Sequence, residues 1–176
     1  IAELQDRING VGDPVPNDIV GHVLLWINEL AYLHFWLGDL ARAEACFKRS
    51  LALEEALGRV GGMAVDFGNL GVIHEARGDL DAAQAMYERS LSIQEKLGRL
   101  EGVAEQCGNL GNINMRRHRF DVAETMYKKA LSIDEKLRRP HSIATAYNNL
   151  GNVHFERNDL GAAEAMYRNA LVVSER

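Results

Sequence analysis

The chain has 176 residues, enough for one ordinary domain or a short array of repeats. Apolar residues make up 47% and charged residues 26%, a balance that argues against a disordered chain. Asp and Glu outnumber Lys and Arg 25 to 20, giving a formal charge of -5; with no surplus of cations to displace phosphate counterions, a nucleic-acid-binding surface is not expected.

Residues 1–17 hold two of the three prolines, Pro14 and Pro16, and read as a leader or linker. Gly10-Val11-Gly12 begins like a dinucleotide fingerprint, but Val15 stands where the third glycine belongs and no strand precedes it, so a phosphate loop is not expected. The most apolar stretch, Ile19 to Leu37, is interrupted by His22, Asn28, Glu29 and His34, and is not a membrane span. Leu24, Trp26, Ile27, Leu30, Tyr32, Leu33, Phe35 and Trp36 leave a helix there apolar nearly all round, and such a helix needs cover on more than one side. No signal-peptide pattern is visible, and Cys46 and Cys107 read as reduced, small apolar residues of a cytoplasmic protein. The chain starts at Ile1 rather than Met, and it is expected to be a piece of something longer.

Beyond this point a 40-residue period governs the sequence. Gly68-Asn69-Leu70-Gly71 returns as Gly108-Asn109-Leu110-Gly111 and as Asn148-Asn149-Leu150-Gly151, with Asn28-Glu29-Leu30-Ala31 as a weaker first copy. Ala43, Ala83, Ala123 and Ala163 keep step, as do Phe47, Tyr87, Tyr127 and Tyr167. Four repeats follow, at roughly 20–59, 60–99, 100–139 and 140–176, within a domain of 18–176. Each holds two helical patterns; in the second copy these run about Gly62 to Arg77 and Leu80 to Leu97. Gly78-Asp79 reads as a left-handed stop followed by an N-cap, Gly58 and Gly98 close the second helices in the same manner, and Pro140 suits a first helical turn. His118-Arg119 replaces Gly-Asp in the third copy and is expected to loosen that turn; Arg138 stands where Gly58 and Gly98 stand in the earlier copies. Gly71, Gly111 and Gly151 lie inside helices, where glycine costs about 1 kcal/mol against alanine, so close packing of the tyrosine column into them is expected.

These columns of small-Leu-Gly, Gly-Asp, Ala and Tyr/Phe resemble the tetratricopeptide repeat. The length of 40 is similar to the long-repeat branch found in kinesin light chains, polarity adaptors and bacterial regulatory proteins. The resemblance implies an all-α right-handed superhelical solenoid of four antiparallel helix pairs, whose first helices line a concave face. It also implies a non-enzymatic protein-interaction scaffold.

No catalytic, cofactor or metal constellation appears: there is no Walker motif, Gly-x-Ser-x-Gly, Cys-x-x-Cys or His-Glu-x-x-His. His34, His74 and His154 share one column a repeat apart, too widely spaced for one ion. Arg77, Arg117 and Arg157 share another, where they favour the negative end of the first helix. Asparagine recurs without a core explanation. Asn69, Asn109 and Asn149 precede the packed leucine, and Asn112 and Asn152 lie one helical turn on; an amide offers both a donor and an acceptor to a peptide backbone. In the long-repeat branch an Asn at the first of these columns holds an extended partner, and the resemblance implies that role for Asn69, Asn109 and Asn149, and for Asn112 and Asn152 by extension. The other reading is that these amides fasten neighbouring helices. Tyr32, Trp36 and Arg116 fall on the same face; Tyr32 and Trp36 are either partner anchors or are covered by residues 1–17 or a second copy. Glu105 stands where the carboxylate-clamping members of the family carry a basic residue, so a neutral or basic segment is the expected partner, rather than an acidic tail. Readings that compete with peptide binding are a sensor module of a larger regulator and self-assembly through an uncapped terminal helix.

Overall fold

A computed structural model describes residues 1–12, 15–16 and 18–175; Pro14, read above as part of a linker, lies outside the described residues. All described elements are helices. They are α1 (Ala2–Asn9), α2 (Val20–Trp36), α3 (Leu40–Ala56), α4 (Val60–Ala76), α5 (Leu80–Lys96), α6 (Leu100–Arg116), α7 (Phe120–Leu137), α8 (Pro140–Glu156) and α9 (Leu160–Ser174). First helices thus begin at 20, 60, 100 and 140, and second helices at 40, 80, 120 and 160. The chain separates into two compact units, Ile1–Met86 and Tyr87–Arg176.

The turns have one chemistry. After α2 the Gly38 N–H donates to the Phe35 carbonyl and the Asp39 N–H to the His34 carbonyl, both at 2.9 Å, which satisfies two carbonyls the helix leaves open. Gly38 and Gly78 take φ of 77° and 80° there, in the left-handed region that glycine enters without a Cβ clash. The Asp39 and Asp79 carboxylates then cap the next helices, accepting from the Arg42 and Ala82 N–H groups at 3.0 and 3.1 Å. In the third copy the same backbone turn is kept rather than loosened: His118 is left-handed at φ 56°, and its N–H and that of Arg119 make the same pair of bonds, at 2.9 Å. The His118 ring stands edge-on to Phe120 at 5.7 Å, but Arg119 provides no side-chain cap. Arg138 and Asn158 are left-handed as well, at φ 54° and 61°.

In the first unit Ala31, Ala43, Phe47, Leu70 and Ile73 form one core, with the Tyr32 ring edge-on to Phe47 at 5.4 Å. The segment read as a leader contains α1. Leu4 and Ile8 lie one turn apart and join Val23, Ile27 and Leu30 in a second cluster, where Ile8 is 1% exposed. The Arg7 guanidinium lies 5.6 Å from the centre of the Trp26 ring. In the second unit Ala123, Tyr127, Leu150 and Val153 form one cluster, and Val103, Ala104, Cys107, Ala130 and Ile133 another. A Cβ on Gly111 would come within 2.4 Å of the Tyr127 ring, and one on Gly151 within 2.5 Å of the Tyr167 ring. Gly111 and Gly151 therefore make room for the tyrosine of the paired helix.

The joint between successive repeats is also matched in size. A Cβ on Gly62 would meet the Glu54 carboxyl at 2.3 Å, and one on Gly102 the Gln94 amide at 2.4 Å. At the next joint the shorter Asp134 occupies the column of Glu54 and Gln94, and Ser142 the column of the glycines.

Candidate functional site

First helices carry the polar residues singled out above, and the two units use them differently. In the first unit the Tyr32 hydroxyl donates to the Asn69 Oδ1 at 3.2 Å, while the Asn69 Nδ2 is buried without a partner. Tyr32 is half-exposed, whereas Trp36 is 79% exposed with its ring 5.8 Å from that of Phe35. Beneath them the Asn28 Nδ2 donates to the Leu24 carbonyl at 3.0 Å and approaches the Ser50 Oγ at 3.4 Å. Asp66, 2% exposed, is pushed up to about 7 by loss of solvent; its hydrogen bond to Ser50 opposes that rise and the nearby Glu54 charge adds to it. Burial likewise raises Glu54, against the pull of Arg59.

In the second unit α6, α7 and α8 enclose a concavity of about 220 Å³. Asn109 and Asn149 both line it, with Asn112, Glu105, Asp134 and Arg139. The Asn112 Oδ1 accepts from the Tyr127 hydroxyl at 2.7 Å, and the Asn152 Oδ1 from the Tyr167 hydroxyl at 2.8 Å. The second asparagine column is thus engaged with the tyrosine column. Asn109 and Asn149 make no side-chain hydrogen bond among the described residues. Arg116 is exposed near the end of α6.

Asp134 is buried, its Oδ1 without a hydrogen bond and 3.5 Å from the Arg139 Nε. The Arg139 guanidinium itself donates to the Ser142 Oγ at 3.0 Å. Desolvation raises Asp134, with Arg139 opposing and Glu101 reinforcing, and it raises Glu105 against Arg139 as well. Sequence reading placed Glu105 on this face but missed Asp134 and Glu54, which belong to second helices. Their signal was a polar side chain recurring, as Glu54, Gln94 and Asp134, one interhelical turn before a column of Gly62, Gly102 and Ser142.

The arginine column acts otherwise than its spacing suggested. Arg77 pairs with Glu44, and Arg157 with Asp121 and Glu124, so these arginines tie a first helix to the preceding second helix rather than resting on their own helix terminus. Of the histidines, His34 is buried and His154 lies 3.8 Å from Asp159. Among the described residues no group of three His, Cys, Asp or Glu side chains is placed to hold a metal ion. No helix among them is long and apolar enough to cross a membrane.

Helix pairs of closely similar length, joined by one kind of turn and repeated every 40 residues, define an α-helical repeat protein. The chain belongs to the tetratricopeptide-repeat family, whose profile matches residues 23–96 and 106–175. This family is, in general, one of non-catalytic protein-interaction repeats. Among solved structures, the chain is similar to BtubC (BKLC) from P. vanneervenii, at 22% identity and a TM-score of 0.79, over 89% of this chain and 65% of that one. It is also similar to the apo form of RapI, at 13% identity and a TM-score of 0.84, over 97% and 60%. At these identities the likeness shows the fold, and the chain spans less than two thirds of the length of either structure. The comparison with curated proteins finds no match.

Proposed function

We propose that the chain is a scaffold that holds an extended peptide segment of a partner protein against its first helices. The observation that carries this reading is the pair Asn109 and Asn149. They stand one repeat apart and line one concavity, and their amides are not used by the fold among the described residues. A primary amide matches the donor and acceptor of a peptide unit whatever side chain that unit bears. Asn69, occupied by Tyr32, continues the same column in the first unit, and displacing one hydroxyl would free it. The partner is a neutral or basic segment, because Glu105 and Asp134 line the concavity against the one arginine.

The test begins with dodecapeptides selected from a random display library on the immobilised chain. The selected peptides should lose about tenfold or more in affinity for the Asn109→Ala/Asn149→Ala variant, from two lost hydrogen bonds at about 0.5–1.5 kcal/mol each. Circular dichroism should show helix content unchanged in that variant. An unfolded variant would make the asparagines structural, and unaltered affinity would move binding off this face.

A second reading, self-association, is favoured by the exposed apolar side chains Phe155, Leu160 and Leu171 of α8 and α9, at 57, 58 and 58%. Mass measured by light scattering should then rise with concentration, and Leu160→Glu/Leu171→Glu should abolish the rise.

A further inference from the structure

The asparagine column can grip a backbone but cannot set its register, because every peptide unit offers the same donor and acceptor. The side chains beside Asn109 differ from one repeat to the next. Glu105 lies one turn before Asn109 on α6; its column holds Leu25, Val65 and Thr145 in the other copies. Asp134 reaches the same concavity from α7, in a column that holds Glu54, Gln94 and Ser174 in the other copies. Only the third repeat combines a carboxylate at both columns.

The concavity has the properties of a receptor for a positive group. Asp134 is 4% exposed, lines the space, and its Oδ1 has no hydrogen bond. A buried carboxylate oxygen left in that condition has given up its hydrogen bonds to water, and an incoming donor restores one. Arg139 does not fill that role. Its Nε stops at 3.5 Å from Asp134, and its guanidinium donates to Ser142. Glu105 has no hydrogen bond or ion pair among the described residues. Two carboxylates therefore face one arginine that is already engaged. Desolvation works against both carboxylates, and a cation brought between them offsets that penalty. The volume, about 220 Å³, falls below the ~300–1,000 Å³ of sites for drug-sized ligands and suits a single long side chain.

We infer that the concavity between α6, α7 and α8 is a specificity pocket for one lysine or arginine side chain of the bound segment, with Glu105 and Asp134 as its acceptors. The inference rests on the peptide-binding reading above and adds its register. Asn109 and Asn149 hold the backbone on either side, and the buried cation fixes which peptide residue lies between them.

The same peptide selection tests it. On the wild-type chain, the selected pool should carry Lys or Arg at one fixed position. On Glu105→Gln/Asp134→Asn, peptides should still be selected, without the basic preference at that position. Replacing the basic residue of a selected peptide with norleucine should cost tenfold or more on wild type and less than twofold on the variant, the difference being the direct coupling. If Asp134→Asn impairs folding, Glu105→Gln alone should reduce the basic preference. A wild-type pool with no fixed basic position, whose peptides are nonetheless lost on Asn109→Ala/Asn149→Ala, overturns the pocket and leaves the groove. A pool indifferent to that asparagine variant, or no pool at all, overturns both.

Discussion

Single side chains in this repeat are legible as sizes and misleading as polarities. Gly111 and Tyr127 fit as the recurrence of their columns suggests. Gly111→Ala should therefore destabilise by about 1–3 kcal/mol in urea unfolding, although alanine is the better helix former, since its Cβ would sit 2.4 Å from the ring. Tyr127→Ala should cost about 3–5 kcal/mol as a large-to-small change in the core, and an unaltered melting temperature would contradict this packing. The asparagines could not be sorted from the sequence. On a helix face an amide bound to a tyrosine 15 residues away looks the same as one that faces a partner, and only the fold separates Asn112 from Asn109. Asp66 lies on a first helix and is buried, which its place in the sequence does not reveal. Its proton is held to about pH 7 in the folded chain and released near 3.8 in the unfolded chain. The stability this group contributes is complete below about pH 4 and is lost as pH rises through about 7. Asp66→Asn, with the amide that Gln106 already carries in that column, should raise the melting temperature at pH 8 and much less at pH 5. The gain at pH 8 should be on the order of 1–3 kcal/mol. Equal gains at both pH values would show that the carboxyl does not titrate in this range.

At the scale of the element, helix lengths and boundaries from α2 onward follow from a turn that recurs between successive helices. The glycine and aspartate of that turn announce it in the first two copies, and the fold shows what happens without them. His118-Arg119 keeps the two closing hydrogen bonds, with a Cβ in the left-handed region and an uncapped helix start. The turn is imposed by the packing of α6 on α7 rather than by local preference, which is why the expectation of a looser turn failed. Arg119→Asp should recover about 1 kcal/mol as an N-cap, and His118→Gly should add up to about 1 kcal/mol by removing the left-handed penalty, both read from thermal unfolding. If neither variant changes the melting temperature, the turn is not strained. The helix α1 was hidden for a related reason. The prolines and glycines that follow it dominate the composition of 1–17, whereas the helix itself is marked by little more than Leu4 and Ile8, one turn apart.

At the largest scale, stability within each unit is a chain of neighbour relations. Within the first unit α1 rests on α2, α2 on α3 and α3 on α4. Damage at one end should therefore stay local. Ile8→Ala should speed amide exchange through α1 and the first turns of α2 and leave α4 protected; loss of protection in α4 would reveal longer-range cooperativity. The family and the helix pairs were readable because the period is kept from copy to copy, so that weak local signals add up. The concavity was not, because it joins residues of three helices that no single window of sequence contains. The joints between repeats have an engineering consequence. Glu54 needs the empty space over Gly62, Gln94 needs that over Gly102, and the shorter Asp134 lies where Ser142 replaces the glycine. Each joint is a plug and socket whose halves are encoded in adjacent cassettes. Transplanting residues 100–139 into another array would therefore carry a socket for a long plug at its front edge and a short plug at its rear. Grafts cut at the boundary between repeats, after the plug and before the socket, would part the two halves of a joint, whereas grafts cut at the middle of a first helix, beyond the socket, would keep plug and socket together.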